Sequence, residues 1–314
     1  MEKIVFYGAG VNGKNNYLFL KTQGLSKIVN AFCDKNADEI QKVDEIEVIS
    51  FEDAQKMNLP FVITVDEKTN GYKEIIEILE KSDVVYYANL REYAIKRLNY
   101  DQVKWNREYC AYTHISNMDD YFDDAESKEK LNIFWAEDSL FFNMFQKLNL
   151  EKVVELACGR GRHVPQYISK AKEIVLVDIL DKNIEFVRRR FSDCENIHFY
   201  KNNGYNFEEL PDSSYTAIFS YDAVVHFEMW DIYNYLQDMY RILVPGGMAL
   251  IHHSNDSSDY RNSFQKCTNP GGRSFMDKKI FAYLAYRCGF EIVEQHVIDW
   301  SAPEMDCVSL IRKA

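Results

Sequence analysis

Twice in this chain a short apolar run ends in a glycine-spaced turn and gives way to a segment with helical character. The first is Ile4-Val-Phe-Tyr-Gly8-Ala-Gly10-Val-Asn-Gly13 and the second Val153-Val-Glu-Leu-Ala-Cys-Gly159-Arg-Gly161. A strand that turns straight into a helix continues most readily as a crossover to a parallel neighbour, so each motif opens a βαβ unit of its own. Two such openings in 314 residues call for two α/β domains, each large enough to bury a core. The chain holds only 13 glycines, about 4% against roughly 7% in ordinary proteins. Their clustering at strand ends marks places where the backbone itself needs them.

Strand-like runs at 3–8, 27–33, 47–50, 61–65 and 84–87, with helical character up to Gly24 and over 72–81, place a first domain over residues 1–94. Residues 95–132 are rich in aromatics and acids, as in Met118-Asp-Asp-Tyr-Phe-Asp-Asp124, and read as a helical connector. A second domain follows over 133–314. Its strands at 153–157, 174–179, 198–202, 216–222 and 248–254 alternate with helices at 163–171, 181–191, 231–243 and 276–288, the pattern of a mostly parallel sheet covered on both faces. Ile232, Tyr235, Leu236, Met239, Tyr240 and Leu243 recur at helical spacing and give that helix one core-facing side. Strand runs 290–298 and 306–313 are separated by seven residues, too few for a crossover helix, so they pair antiparallel at the sheet edge. The fold expected is α/β, with two doubly wound sheets, the second ending in an antiparallel hairpin.

A net charge of −12 opposes binding of nucleic acid by counterion release. The longest apolar runs, such as 249–251 and 174–177, fall far short of the ~20 residues a membrane span needs, and no secretory signal is expected. Seven cysteines without CxxC spacing predict neither a zinc site nor a disulfide framework, but reduced thiols in a cytoplasmic protein. No metal is expected.

Gly8, Gly10 and Gly13 follow a strand and precede a helix, and Asp34 stands 21 residues after Gly13 at the end of the second strand. This is the context of a dinucleotide-binding turn. The first glycine permits the tight turn, the second lets backbone N–H groups approach a diphosphate, the third lets helix and strand pack closely, and Asp34 would accept from a ribose hydroxyl. The alternative is a degenerate domain of the same kind kept for packing or assembly. Some 90 residues make only half of a full dinucleotide fold, and no Tyr-x-x-x-Lys pair follows, so binding rather than hydride transfer is expected. Ile4-Val-Phe-Tyr-Gly-Ala-Gly-Val-Asn-Gly-Lys14, Ala31-Phe-Cys-Asp-Lys35 and Ile46-Glu-Val-Ile-Ser50 resemble the small N-terminal Rossmann domain of bacterial sugar acyltransferases and sugar-modifying enzymes. The resemblance implies a nucleotide-activated sugar at Gly8, Gly10, Gly13 and Asp34.

In the second motif position 164 is Val where a third glycine would stand, so the dinucleotide spacing fails. Glu155, Gly159 and Gly161 instead make an acid-x-x-x-Gly-x-Gly turn, which resembles that of the class I S-adenosylmethionine (SAM)-dependent methyltransferases. The resemblance continues in order through Asp178 at the second strand end, Asn203-Gly204 after the third, Ser220-Tyr-Asp222 at the fourth and Arg241-Ile-Leu-Val-Pro-Gly-Gly247 before the fifth, and it covers 133–314. It implies SAM as cofactor, held by Glu155, Ala157, Cys158, Gly159, Gly161, Asp178, Ile179, Asn203, Gly204, Ser220 and Asp222. Asn203 stands where the family often has Asp, so its side-chain carbonyl would meet the adenine amino group.

Methyl transfer is an in-line displacement in which positioning does much of the work. A hydroxyl acceptor must also lose a proton, to a base of near-neutral pKa at the carboxyl ends of the strands. His226, after the fourth strand, and His252 and His253, at the end of the fifth, stand there. Strand neighbours face opposite ways, so only one of the adjacent pair can point into the site. His226 and His253 are the expected bases, with Asn255 beside the acceptor. His163 reads as a helix-start residue. Arg273 in Gly271-Gly-Arg273-Ser, with Trp300 and Asp306, matches a subgroup of sugar and natural-product O-methyltransferases. Its fork of donors would hold a phosphate or hydroxyls, or else pair with an acid. Trp135, Phe141 and Phe142 either cap the cofactor or belong to the core.

The function expected is O-methylation of a sugar or nucleotide-activated sugar in the synthesis of surface glycans such as capsular polysaccharide, with the first domain helping to hold the acceptor. Methylation of a small molecule outside glycan metabolism at N or O, a non-catalytic protein that binds SAM or a nucleotide, and an oxidoreductase working through Gly8–Gly13 remain open alternatives. In each case the partner is a small molecule, not nucleic acid or a membrane.

Overall fold

The structure is a computed structural model that describes residues 2–115, 119–258, 273–300 and 302–314. The chain divides into two compact units, Met1–Trp105 and Asn106–Ala314. The division falls inside the helix Gln102–Ile115, so the stretch expected as a connector contributes helices to both. No helix among the described residues is long and apolar enough to cross a membrane.

In the first unit strands β1 (Ile4–Tyr7), β2 (Val29–Cys33), β3 (Lys42–Val43), β4 (Ile46–Ile49), β5 (Phe61–Ile63) and β6 (Tyr86–Tyr87) form one sheet in the order β3-β4-β2-β1-β5-β6. All neighbours are parallel except the short β3–β4 pair, whose strand β3 had no clear sequence signal. β1 is buried along its whole length, as a central parallel strand must be.

In the second unit strands β7 (Lys152–Leu156), β8 (Glu173–Asp178), β9 (Ile197–Lys201), β10 (Tyr215–Ser220), β11 (Leu243–Ser254), β12 (Phe290–Ile298) and β13 (Asp306–Lys313) are arranged β12-β13-β11-β10-β7-β8-β9. β13 pairs antiparallel with both β11 and β12, which is the expected edge hairpin. The two α/β sheets expected from the alternation are present, and the second is that of a class I methyltransferase-like Rossmann fold. β11 begins earlier than the apolar run suggested, because Tyr215 already pairs with Leu243 before the register shifts around Pro245-Gly-Gly. The helix over 163–171 shrinks to Val164–Tyr167.

Two apolar layers cover this sheet. One packs Ile232, Tyr235, Leu236 and Met239 of the helix Met229–Ile242 against Val154, Ile218 and Ala249. The other packs Phe134, Phe141, Met144 and Phe145 against Val153, Phe219 and Leu250. Trp135 and Phe141 belong to this second layer, where Trp135 donates to His163 Nδ1 at 3.0 Å.

Candidate active site

From β7 the chain winds outward through β8 and β9, then returns to β10 on the opposite side of β7. The carboxyl ends of β7 and β10 therefore part at a switch point, where doubly wound sheets bind their ligands. A cleft of about 1230 Å³, open solvent at its mouth included, lies there within the second unit. Its floor is the turn after β7 (Ala157, Cys158, Gly159), the end of β8 (Asp178, Ile179) and the turn after β10 (Asp222).

The glycine turn follows from its backbone. Gly159 and Gly161 sit at φ +54° and +76°, and a Cβ on Gly161 would come 2.6 Å from the Phe191 ring. Gly161 thus serves close packing and is buried, while Gly159 faces the cleft. Asp178 ties the turn together, accepting from Gly159 N–H at 3.0 Å and Leu180 N–H at 2.9 Å. Burial pushes its carboxyl up to about 6 against these backbone donors. The Asn183 side chain and the Ile179 N–H also favour its charged form, and the acid lines the cleft.

Glu155 is not at the cleft. It is buried on β7, accepts from Tyr167 O–H at 2.6 Å and is pushed up to about 7 by burial. Ser220 likewise spends its hydroxyl inside the sheet, on the Leu156 carbonyl at 2.8 Å. Asn203 is a correction: its carbonyl accepts from Tyr205 and Asn206 N–H, both at 3.0 Å, within its own turn, and Asn202 lines the cleft instead. Gly204 lines the cleft at φ +85°, where a side chain would collide with Ile179 and Arg107.

Of the two expected bases the structure brings one to the cleft. His226 ends the turn Val224–His226 and lines it. His253 faces the other side of β11, stacked on Phe281 at 4.0 Å and bonded to Ser309 Oγ at 2.8 Å, and burial pushes it down to about 3. Its neighbour His252 faces the Tyr221 ring at 4.3 Å. Asn255 is not in the cleft lining, because its amide donates to Glu304 O and accepts from Lys278 N–H. Arg273 is corrected too: both arms of its fork are on buried Asp306, at 2.8 and 2.6 Å, which leaves the acid-pairing reading. Gly271 and Gly272 lie outside the described residues.

Several cleft residues were not anticipated. Arg107 pairs with buried Asp231 through Nε at 3.0 Å and Nη2 at 2.6 Å, and lies 4.3 Å from the Tyr205 ring. Arg162 and Tyr121 both donate to Asp222 Oδ2, at 3.1 and 2.9 Å. Asp222 holds φ +59°, a left-handed conformation that costs a non-glycine residue about 1–3 kcal/mol and persists only where its surroundings impose it. Phe122 lies over Gly159, 2.9 Å from where a Cβ would stand. The sequence signal for Tyr121 and Phe122 is the aromatic pair set among acids in the connector, and nothing local in the sequence marks Arg107.

In the first unit Asp34 accepts from Ala9 N–H at 2.8 Å and Asn36 N–H at 2.9 Å. A Cβ on Gly13 would lie 2.0 Å from Gly8 O, whereas one on Gly10 would meet nothing within 4 Å.

Residues 153–247, from β7 to the glycine pair within β11, match the family model of a methyltransferase domain. A protein of Mycolicibacterium smegmatis (strain ATCC 700084 / mc(2)155) named "Probable S-adenosylmethionine-dependent methyltransferase" is 26% identical over 105 residues, 33% of this chain and 38% of that protein, so the match spans under two fifths of that curated relative's length. Among solved structures, an S-adenosylmethionine-dependent methyltransferase from Mesorhizobium loti is 15% identical with a TM-score of 0.46, over 55% of this chain and 96% of that one. A SAM-dependent methyltransferase from Methanosarcina mazei is 15% identical with a TM-score of 0.43, over 55% and 98%. The family match lies on a sheet of the class I methyltransferase-like Rossmann order, the fold that takes SAM as its cofactor.

Proposed function

We propose that this protein transfers a methyl group from SAM to a hydroxyl of a sugar or nucleotide-activated sugar, in the cytoplasmic synthesis of a surface glycan. The observation that carries methyl transfer is the meeting of the glycine turn, Asp178 and His226 at the switch point of the sheet. SAM, when bound, supplies an electrophilic methyl group. Asp178 would accept the ribose hydroxyls, and His226 would take the proton that the acceptor hydroxyl sheds. The sugar class rests on the first unit: its Gly8–Gly13 turn resembles that of sugar-modifying enzymes, and the exposed face of Gly10 leaves a diphosphate room to approach.

The test is product mass spectrometry after incubation with SAM and a panel of UDP- and CDP-sugars. A methylated sugar is expected, with His226→Ala lowering kcat by about 10²- to 10⁴-fold. Inertness of every sugar beside methylation of an amine would sink the acceptor assignment, and full turnover by His226→Ala would sink the base.

A further inference from the structure

We infer that His252 and Asp306 are positioning residues for the turn after β10, acting through the peptide N–H of Asp222. The inference rests on the reading that this cleft binds SAM. His252 is fully buried, and its Nδ1 accepts from Asp222 N–H at 3.0 Å. An Nδ1 that accepts leaves the proton on Nε2, and Nε2 meets Asp306 Oδ2 at 3.0 Å. Asp306 is fully buried as well and is neutralised by the two-armed pair with Arg273. A chain of directed bonds thus runs Arg273, Asp306, His252, Asp222.

That chain ends at a residue whose backbone is left-handed. Asp222 holds its left-handed φ directly at the cleft and presents its carboxylate to Arg162 and Tyr121. The four residues that follow form the turn bringing His226 to the cleft. This turn is held separately by Ser274, whose N–H and Oγ both bond the Val225 carbonyl, at 2.9 and 3.1 Å. Arg273 and Ser274 are adjacent, so one short segment after β11 braces the β10 turn at two points: through Asp306 and His252 beneath Asp222, and directly beside His226. A buried aspartate, histidine and arginine are costly to place in a core, and here they converge on one strained peptide of the cofactor cleft.

The two ring nitrogens can be replaced one at a time. Asparagine at 252 sets its carbonyl close to where Nδ1 stands and keeps an acceptor for Asp222 N–H, whereas glutamine sets its amide close to Nε2 and keeps the donor to Asp306. Calorimetry with S-adenosylhomocysteine is expected to find His252→Asn within about threefold of the parent and His252→Gln weakened about tenfold or more, the cost of leaving a buried N–H without an acceptor. Adenosine, which would rest on the β8 and β9 ends, keeps its affinity in both. Equal losses in the two variants, losses of adenosine alongside S-adenosylhomocysteine, or unchanged affinities would each overturn the inference. Should neither variant fold, Arg273→Lys breaks the two-armed pair and is expected to weaken S-adenosylhomocysteine severalfold, and an unchanged value would count against it. Failure of the parent protein to bind S-adenosylhomocysteine would instead overturn the SAM reading.

Discussion

The two glycine turns of this chain use one backbone device and differ in what surrounds it. In each, the acid that ends the second strand accepts an N–H from the turn and an N–H two residues beyond itself: Asp34 takes those of Ala9 and Asn36, Asp178 those of Gly159 and Leu180. Asp34 is half-buried, whereas Asp178 is buried and pushed up to about 6. The helix also starts differently. In the first unit it begins at Val11, directly on the turn, and Gly13 lies against Gly8 O. In the second the helix begins at Val164, three residues past Gly161, so a buried valine fits where the dinucleotide spacing wants glycine. A GxGxxG spacing therefore reports how close the helix sits, while the depth of the acid reports the cleft.

The harshest way to break this comparison is at Gly13. Alanine there puts a methyl group against backbone that cannot swing aside, and the expected cost is about 3 kcal/mol, read as a lower urea midpoint for the transition of the full-length protein. Gly10→Ala, in open space at φ −72°, is expected to stay within about 0.5 kcal/mol. If Gly13→Ala costs as little as Gly10→Ala, the close-packing account of the first turn is wrong. Gly10→Ala also serves the nucleotide reading, because a stable variant that lost UDP-sugar affinity would locate the diphosphate at this turn.

A sharper contrast sets the two acids against each other. Asp178→Asn replaces two acceptor oxygens by one acceptor and a donor, facing two N–H groups that both need acceptors, and removes the charge a ribose would meet. S-adenosylhomocysteine affinity is expected to fall about 100-fold, the scale of hydrogen bonds to a charged group. Asp34→Asn makes the same chemical change in the other unit and should leave that affinity within about twofold. Calorimetry on both variants decides, and comparable losses would mean that the second cleft is not the SAM site.

How much of this was legible beforehand follows from what periodicity carries. Alternation of apolar runs with helical stretches is enough for two parallel sheets, and the seven residues between β12 and β13 are enough for the hairpin. Periodicity gives the alternation of faces along a strand but not its phase relative to a cleft. Histidines 252 and 253 are adjacent and both fully buried, so polarity could not say which one turns toward the β10 end. Asn202 and Asn203 pose the same problem one strand over. Arg273 and Asp306 are 33 residues apart, and pairing at that distance needs the folded register of β13 on β11. Arg107 and Tyr121 were hidden because helices before the sheet supply walls to a cleft whose signature lies after them.

The subtlest expectation concerns a position where the two units differ outright. Four residues before its cleft glycine, β7 carries Glu155, where β1 is apolar throughout. Burial raises the Glu155 carboxyl from 4.5 to about 7 even though Tyr167 O–H bonds it. A group held above its unfolded pKa favours the folded state fully while protonated in both states, and that contribution is lost as pH rises from about 4.5 through about 7. Glutamine keeps a carbonyl for the tyrosine hydroxyl and has no charge to bury. Glu155→Gln should therefore match the parent near pH 4 and exceed it in stability by about 2 kcal/mol at pH 8, somewhat below the full value of the shift. Asp178, also raised, titrates in both proteins and cancels from the difference. Urea unfolding at the two pH values checks the sign, and a variant less stable at pH 8 would show that the charged carboxylate is held by more than one hydroxyl, making Glu155 a support of the glycine turn and not a burden on β7.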